Sequence, residues 1–240
     1  MLFKKITQAI LLSSLIAGAA FADEAAIKKS MKARFPEATV KSVTKTPYAG
    51  LYEVFMEGQL VYTDENADYL FIGNVIDAKK QRNLTEARVA KLTEVKFNTL
   101  PLDLAIKTVK GDGKRKIAVF ADPDCPFCKK FETDLKSVKD ITVYTFLFPI
   151  EGLHSGSTEK AKAIWCAPDR SKAWEEWITQ GIAPKNSGAC DTPVAKVEAL
   201  AKKLFVSGTP TVFFANGRRV PGAIPAAQIE EILSTVFPDQ

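Results

Sequence analysis

The N-terminal third of the chain begins with a helical pattern and continues as short runs with strand chemistry. Ala25–Phe35 is amphipathic and is followed by Pro36, which predicts a short helix. Turn-forming residues separate four runs rich in β-branched and aromatic side chains: Thr39–Thr44, Leu51–Met56, Leu60–Thr63 and Tyr69–Ile76. One helix followed by an antiparallel meander predicts a small α+β domain, whose core of about 60 residues is marginal by itself.

The last of these runs, Tyr69–Ile76, is too apolar for a strand with one face in water. We expect it either at the centre of the sheet or paired with a second chain.

A mostly polar helix is predicted next. Asn83-Leu84-Thr85-Glu86 has the form of a capping box, and the helical pattern continues to about Phe97. Its apolar positions are sparse, which is typical of a semi-rigid linker between two folded units. The alternative is a peripheral helix of one continuous domain.

The second half of the chain has the order of elements of an α/β domain. Short apolar runs at Leu104–Val109 and Ile117–Phe120 predict strands, and Ile141–Phe148 is predicted to be a buried strand. A helix from Pro126 to about Lys139 lies between the last two. Two or three helices occupy residues 158–205, and a hairpin at residues 211–220 and a helix at residues 225–236 close the chain. This order indicates an α/β core with an inserted helical stretch.

The first 22 residues have the three parts of a secretory signal peptide. Met1–Lys5 carries two lysines, an apolar stretch of about ten residues follows, and Ala20-Phe21-Ala22 forms a small-residue cleavage site. A membrane-spanning anchor needs about 20 apolar residues, so the apolar stretch is too short. We expect cleavage after Ala22, export, and no membrane insertion of the mature chain.

Composition narrows the function classes. The chain has 240 residues, of which 46% are hydrophobic and 25% charged, which excludes a disordered, collagen-like or multi-span membrane protein. Cleavage removes two lysines and no acidic residue, so the net charge falls from +5 to +3. Without a basic block, this charge does not support nucleic-acid binding. The four cysteines lie in an exported chain, where disulfides persist.

Cys125 and Cys128 form a CxxC pair at a strand-to-helix junction. Pro126 suits the first helical turn, so Cys125 faces the free N–H groups and the positive end of the helix dipole. Both effects lower the pKa of a thiol and favour the thiolate. Cys128 lies on the same helix face, within reach of a disulfide. A reactive first sulfur with a resolving second is what thiol–disulfide exchange requires.

Nearby charges act on this pair in both directions. Asp122 and Asp124 disfavour a thiolate, whereas Lys129 and Lys130 favour it. The alternatives to redox exchange are a purely structural disulfide, half of a zinc site and a copper-carrying thiol pair.

A metal site has little support, because the remaining candidate ligands are scattered. They are Cys166, Cys190 and the only histidine, His154, which we expect to be an exposed residue of a Gly/Ser loop. No metal or cofactor is therefore expected. The three tryptophans have near-helical spacing and are predicted to pack rather than to bind ligands: Trp165, Trp174 and Trp177.

Cys166 and Cys190 remain to pair with each other if the CxxC is active. A bridge that closes a loop of about 25 residues stabilises by roughly 3.5 kcal/mol in the chain-entropy model. We expect a structural disulfide; the alternative is a second redox couple.

Several motifs resemble the DsbC family of bacterial periplasmic thiol:disulfide interchange proteins, which have a thioredoxin fold. Besides the CxxC, they are Val119-Phe120-Ala121-Asp122, Lys162-Ala163-Ile164-Trp165-Cys166-Ala167, Val206-Ser207-Gly208-Thr209-Pro210 and Val220-Pro221-Gly222. The resemblance covers the whole mature chain and is strongest after about residue 115.

The resemblance implies a V-shaped homodimer in the periplasm. Residues 23–82 would form an α+β, cystatin-like dimerisation domain, 83–98 a linker helix, and 99–240 an α/β thioredoxin-fold catalytic domain with a helical insertion. Family partners would be a membrane reductase of the DsbD type and misfolded exported proteins, held in an apolar cleft.

The resemblance also implies residue roles. Cys125 would attack a mispaired disulfide, Cys128 would resolve the mixed disulfide, and Cys166–Cys190 would be the structural bridge. Thr209-Pro210 would be a cis bond and a wall of the substrate groove, beside the Pro126-Phe127 dipeptide.

The dipeptide departs from the family pattern. Pro126-Phe127 stands where the best-known isomerase has Gly-Tyr, and Lys129 stands where it has His, so the redox potential does not carry over. A net oxidase of the DsbA type, or a holdase chaperone with incidental cysteines, is therefore the alternative to an isomerase.

Overall fold

The computed structural model describes residues 15–236, with side chains from residue 23 onward. Two compact units divide between Val89 and Ala90. The side chains of the predicted signal peptide, residues 1–22, lie outside the described part. Within residues 15–236, no helix is long and apolar enough to cross a membrane.

The first unit packs one helix against an antiparallel sheet. Helix α1 (Leu15–Arg34) buries Ile27 and Met31 in the core of this unit. The sheet has the strand order β1-β2-β3-β4, and the strands are β1 (Val40–Lys45), β2 (Tyr52–Met56), β3 (Gln59–Thr63) and β4 (Leu70–Phe71). The predicted meander is confirmed in its first three strands.

The prediction of one long strand at Tyr69–Ile76 is wrong. Only β4 pairs with β3, and it lies at the edge of the sheet rather than at its centre. The N–H of Val75 donates to Thr85 Oγ1 (2.8 Å) and its carbonyl accepts from Leu84 N–H (2.9 Å). These bonds direct the chain away from the sheet and into a short hairpin, β5 (Ile76–Asp77) with β6 (Arg82–Asn83).

Helix α2 (Leu84–Leu92) follows the hairpin and is shorter than the predicted linker helix. The Asn83 side chain caps its first turn, as the sequence indicates. The helix ends five residues before Phe97, because Val95 donates its N–H to the Gly217 carbonyl (3.3 Å). The side chains of Val95 and Phe97 pack against the core of the second unit.

The second unit is a five-stranded mixed sheet between helices. The strand order is β11-β10-β8-β9-β7, with β8 parallel to β9 and the other pairs antiparallel. The strands are β7 (Ile106–Lys110), β8 (Arg115–Ala121), β9 (Ile141–Leu147), β10 (Thr211–Phe214) and β11 (Arg219–Pro221). The helices are α3 (Pro126–Leu135), α4 (Ser157–Trp165), α5 (Arg170–Gln180), α6 (Val194–Lys203) and α7 (Ala226–Val236).

Strand β8 is buried on both faces, which explains why its sequence does not alternate. Ile117 and Val119 belong to the core cluster that includes residues of α3, α5 and α7. Ala118 and Phe120 belong to the opposite cluster, with residues of α6. This central strand therefore carries the CxxC segment at its C-terminal end on a rigid support.

Candidate active site

The turn after β8 presents Cys125 at the start of a helix. Cys125 N–H donates to the Asp122 carbonyl (3.2 Å), and Asp124 N–H donates to Asp122 Oδ1 (2.8 Å). Cys125 is the N-cap residue of α3, and Pro126 occupies the first helical turn. The local arrangement is therefore the one predicted from the sequence, with Cys125 at the positive end of the helix dipole.

The Thr209–Pro210 segment lies directly beside Cys125. The bond between these two residues is cis, as the resemblance implied. Cys125 Sγ lies 3.4 Å from the Thr209 carbonyl oxygen. The fold thus brings together the CxxC and the Gly-Thr-Pro motif, which are more than 80 residues apart in the chain.

Cys125 and Cys128 are not joined by a disulfide, and their pKa values are shifted in opposite directions. The hydrogen bond from the Cys128 thiol is the largest influence that lowers the pKa of Cys125, which falls to about 5 although burial raises it. The Thr209 side chain and the N–H groups of Cys128 and Phe127 act in the same direction. Burial is the main cause that raises the pKa of Cys128, which is only 1% exposed. At neutral pH the first sulfur is a thiolate and the second remains protonated.

This asymmetry predicts selective alkylation. At about pH 6, iodoacetamide should modify Cys125 and spare Cys128, because only the thiolate is nucleophilic. The rate should fall with decreasing pH through a midpoint near 5, the pKa of Cys125. Mass spectrometry of quenched samples measures both sites. Cys128→Ala removes the largest stabilising contact and should move the midpoint upward; a wild-type midpoint near that of a free thiol would contradict the asymmetry.

The charge of Asp124 is paired by a residue that the sequence analysis did not single out. Lys160 Nζ lies 2.8 Å from both carboxylate oxygens of Asp124. The same ammonium lies 4.9 Å from the centre of the Trp177 ring, within cation–π range. Trp177 in turn donates its ring N–H to the Pro123 carbonyl (2.8 Å). Helices α4 and α5 thus hold the residues before Cys125 and offset the acidic charge that disfavours a thiolate.

Asp122 is a buried hydrogen-bond centre, which the sequence did not reveal. Besides Asp124 N–H, its carboxylate accepts from Ile150 N–H (2.7 Å), Ser157 Oγ (2.5 Å) and His154 Nδ1 (2.9 Å). His154 lies in a loop as predicted, but the prediction that it is exposed is wrong. Its side chain is 23% exposed, because the contact with Asp122 draws the ring inward.

The surface around the reactive sulfur is partly apolar. Phe127, one of the two residues between the cysteines of the CxxC, is 62% exposed. A groove that includes Cys125 itself is also lined by Pro126, Lys129, Trp177, Ile178 and Gly181. Trp177 contributes to this groove, whereas Trp165 and Trp174 are buried in the core as predicted.

The other two cysteines are joined to each other. A disulfide links Cys166, which follows the last residue of α4, to Cys190 in the loop before α6. The predicted pairing is confirmed. Among residues 15–236, no three His, Cys, Asp or Glu side chains lie together as a metal site.

A mixed α/β domain with a CxxC dithiol at a helix N-terminus, next to a cis proline, defines a thiol:disulfide oxidoreductase of the thioredoxin fold. The profile of the thioredoxin-like domain matches residues 102–237, and that of the disulfide bond isomerase N-terminal domain matches residues 18–86. The chain belongs to the DsbC family of thiol:disulfide interchange proteins and is a disulfide isomerase/oxidoreductase.

Similarity to curated relatives extends over most of the chain. The probable thiol:disulfide interchange protein DsbC of Bordetella parapertussis is 46% identical over 85% of this chain and 72% of its own length. DsbC of Escherichia coli K12 is 30% identical over 92% of each chain. The crystal structure of a disulfide interchange protein from Neisseria gonorrhoeae is 48% identical, with a TM-score of 0.55 over 57% of this chain and 97% of its own.

Proposed function

We propose that this protein is a periplasmic disulfide isomerase that attacks mispaired disulfides of exported proteins through Cys125. The Cys125 thiolate attacks one sulfur of the wrong disulfide. That S–S bond breaks, a mixed disulfide forms, and the second substrate sulfur leaves as a thiolate. The released thiolate, or another substrate thiol after deprotonation, then attacks elsewhere. Rearrangement ends when a substrate sulfur displaces Cys125.

Cys128 releases the substrate from the mixed disulfide when rearrangement does not proceed. After losing its proton, its sulfur attacks Cys125 in the mixed disulfide, which releases the substrate as a dithiol and leaves a Cys125–Cys128 disulfide. The substrate is then reduced by two electrons and the protein is oxidised. A membrane reductase of the DsbD type would return those electrons and restore the dithiol.

The observation that supports this proposal is the contrast between the two sulfurs. A pKa of about 5 at Cys125 keeps the attacking group ionised at neutral pH. The raised pKa of Cys128 keeps the resolving thiol protonated and slow, so a mixed disulfide has time to rearrange. The exposed Phe127 and the groove by Trp177 supply apolar contacts for misfolded chains, which supports a chaperone-like role as well.

The test is recovery of a scrambled multi-disulfide protein, measured together with the redox potential of the CxxC. The reduced wild-type protein should restore activity to the scrambled substrate in catalytic amounts. A net oxidase would instead act on a reduced substrate and be consumed as its disulfide. Failure of the reduced protein to rescue the scrambled substrate would refute the isomerase.

We further propose that the first unit dimerises through its exposed sheet edge. Strand β4 is an edge strand, so its outer backbone groups are available for pairing. Four large apolar side chains of this segment are exposed: Tyr69 (70%), Phe71 (50%), Ile72 (81%) and Ile76 (52%). An apolar edge of this kind is covered when a second copy pairs with it by two-fold symmetry. The N-terminal domain profile of the disulfide bond isomerase family supports the same arrangement.

Ile72→Asp should convert the dimer to a monomer, because it places a charge in the apolar edge. Sedimentation of the mature chain gives the mass directly. Val109→Asp is the matched control: Val109 is 53% exposed on edge strand β7 of the second unit and should leave the dimer intact. Cys125 should be alkylated at the same rate in both variants. A wild-type chain that sediments as a monomer would contradict the proposal.

A further inference from the structure

The only histidine of the chain is joined to the active-site turn through a buried carboxylate. His154 Nδ1 lies 2.9 Å from Asp122 Oδ2, and the Asp122 side chain has no solvent exposure. Asp122 lies directly after β8, and its carbonyl accepts the N–H of Cys125 (3.2 Å). One residue therefore contacts both the histidine and the backbone of the reactive cysteine.

The hydrogen bonds determine the proton on His154. A carboxylate only accepts, and its other contacts are N–H or O–H groups of Asp124, Ile150 and Ser157. Nδ1 of His154 must therefore carry a proton, so the imidazole gains and loses its charge at Nε2. At 23% exposure the ring exchanges that second proton with water.

The charged groups with the largest effect on His154 are acidic, and burial acts against them. The hydrogen bond to Asp122 is the main cause that raises the pKa of His154, and the charges of Asp122, Cys125 and Asp124 add to it. The charge of Asp124 is offset by Lys160. Apart from Asp124, the negative groups that act on His154 are therefore the Asp122 carboxylate and the Cys125 thiolate.

We propose that His154 is a positioning residue that acts through Asp122 to favour the Cys125 thiolate, and that its protonation is coupled to the redox state of the CxxC. The imidazolium neutralises the Asp122 carboxylate, which otherwise repels a second negative charge nearby. When Cys125 enters a disulfide, its negative charge is lost and His154 releases its Nε2 proton more readily to water. Reduction restores the thiolate and the proton affinity together. The inference rests on the proposed role of Cys125 as the nucleophile.

The coupling is measurable in the unmodified protein, because one histidine gives one set of imidazole signals. The NMR titration of His154 is recorded for the reduced protein, for the protein oxidised with glutathione disulfide, and for Cys125→Ser. Since coupling is reciprocal, the pKa of His154 should fall by roughly half a unit in both forms that lack the thiolate. Titrations that agree within about 0.1 unit in all three forms would overturn the proposal.

Two variants distinguish the effect of the His154 charge from the effect of losing a hydrogen bond to Asp122. His154→Gln retains an N–H donor for Asp122 but no charge, and it should raise the pKa of Cys125 by roughly half a unit. Alkylation of Cys125 below pH 5 should then slow by about threefold. Ser157→Ala removes another hydrogen bond to the same carboxylate without changing charge, and it should leave the Cys125 pKa in place. An equal shift in both variants would show a structural effect and overturn the proposal.

The two proposals fail differently. If the wild-type protein does not rescue scrambled substrates, the proposed function fails, and the His154 titration still reports whether the coupling exists. If rescue is normal and the His154 titration does not depend on the state of Cys125, only the coupling between His154 and Cys125 is refuted.

Discussion

Cys125→Ser is expected to lower the rate of disulfide reshuffling by at least about a hundredfold, because a hydroxyl does not form the required thiolate. The CxxC then has no second ionised nucleophile, since burial raises the pKa of the Cys128 thiol. The measurement is the initial rate at which a scrambled multi-disulfide protein regains activity. Suppression of aggregation by the same variant should be unchanged.

Cys128→Ser is the matched control for this prediction. It keeps the attacking sulfur and removes the thiol that resolves the mixed disulfide. Mixed disulfides between Cys125 and substrate should therefore accumulate and be visible on non-reducing gels. The serine hydroxyl still donates a hydrogen bond to Cys125, so attack at mildly acidic pH should be slowed less than in Cys128→Ala. Reshuffling at the wild-type rate by Cys125→Ser would refute the assignment of the nucleophile.

Replacing both cysteines of the bridge should have its main effect on stability. Cys166→Ser with Cys190→Ser opens a loop with a sequence separation of 24 residues. The chain-entropy model gives a loss of roughly 3.5 kcal/mol in the free energy of unfolding for a loop of this size. Urea denaturation of the second unit, followed by tryptophan fluorescence, measures the loss.

The control for the bridge variant is the double change Cys125→Ser with Cys128→Ser, which should leave most of the stability in place. Alkylation of Cys125 in the bridge variant should keep its midpoint, because the bridge does not contact the reactive sulfur. Loss of Cys125 reactivity with unchanged stability would instead favour a second redox couple at Cys166–Cys190.

The sequence was most informative where local patterns and long-range packing agree. Strand β8, helix α3 and the position of Cys125 at their junction follow from an apolar run, Pro126 and the CxxC spacing. The location of the Thr209-Pro210 bond beside Cys125, by contrast, came from the family resemblance. Nothing in the composition distinguishes Pro210 from the other prolines among the 13 of the chain.

The two mistaken element boundaries have one cause. The run Tyr69–Ile76 has strand chemistry throughout, and the pattern after Leu92 remains helical. In each case a backbone group bonds to a distant residue instead: Val75 to Thr85, and Val95 to Gly217. A local pattern contains no information about such partners. Tertiary hydrogen bonds therefore determine where the strand within Tyr69–Ile76 and helix α2 end.

The electrostatics of the site could not be read from the local sequence. Asp122 and Asp124 look unfavourable to a thiolate when only residues 122–130 are considered. Their partners, His154 and Lys160, come from a loop and a helix more than 30 residues later. Only the folded arrangement shows that these two acidic charges next to Cys125 are paired.

Helix α4 gives the two cysteine pairs a common support. It begins at Ser157, whose hydroxyl bonds to Asp122 in the active-site turn, and Cys166 of the bridge follows its last residue. With nine residues, the helix is about 13 Å long. This one short helix therefore separates the structural disulfide from the CxxC dithiol. Because each end is held by a different bond, opening the disulfide does not itself break the hydrogen bond from Ser157 to Asp122. The reactive turn keeps its own anchor.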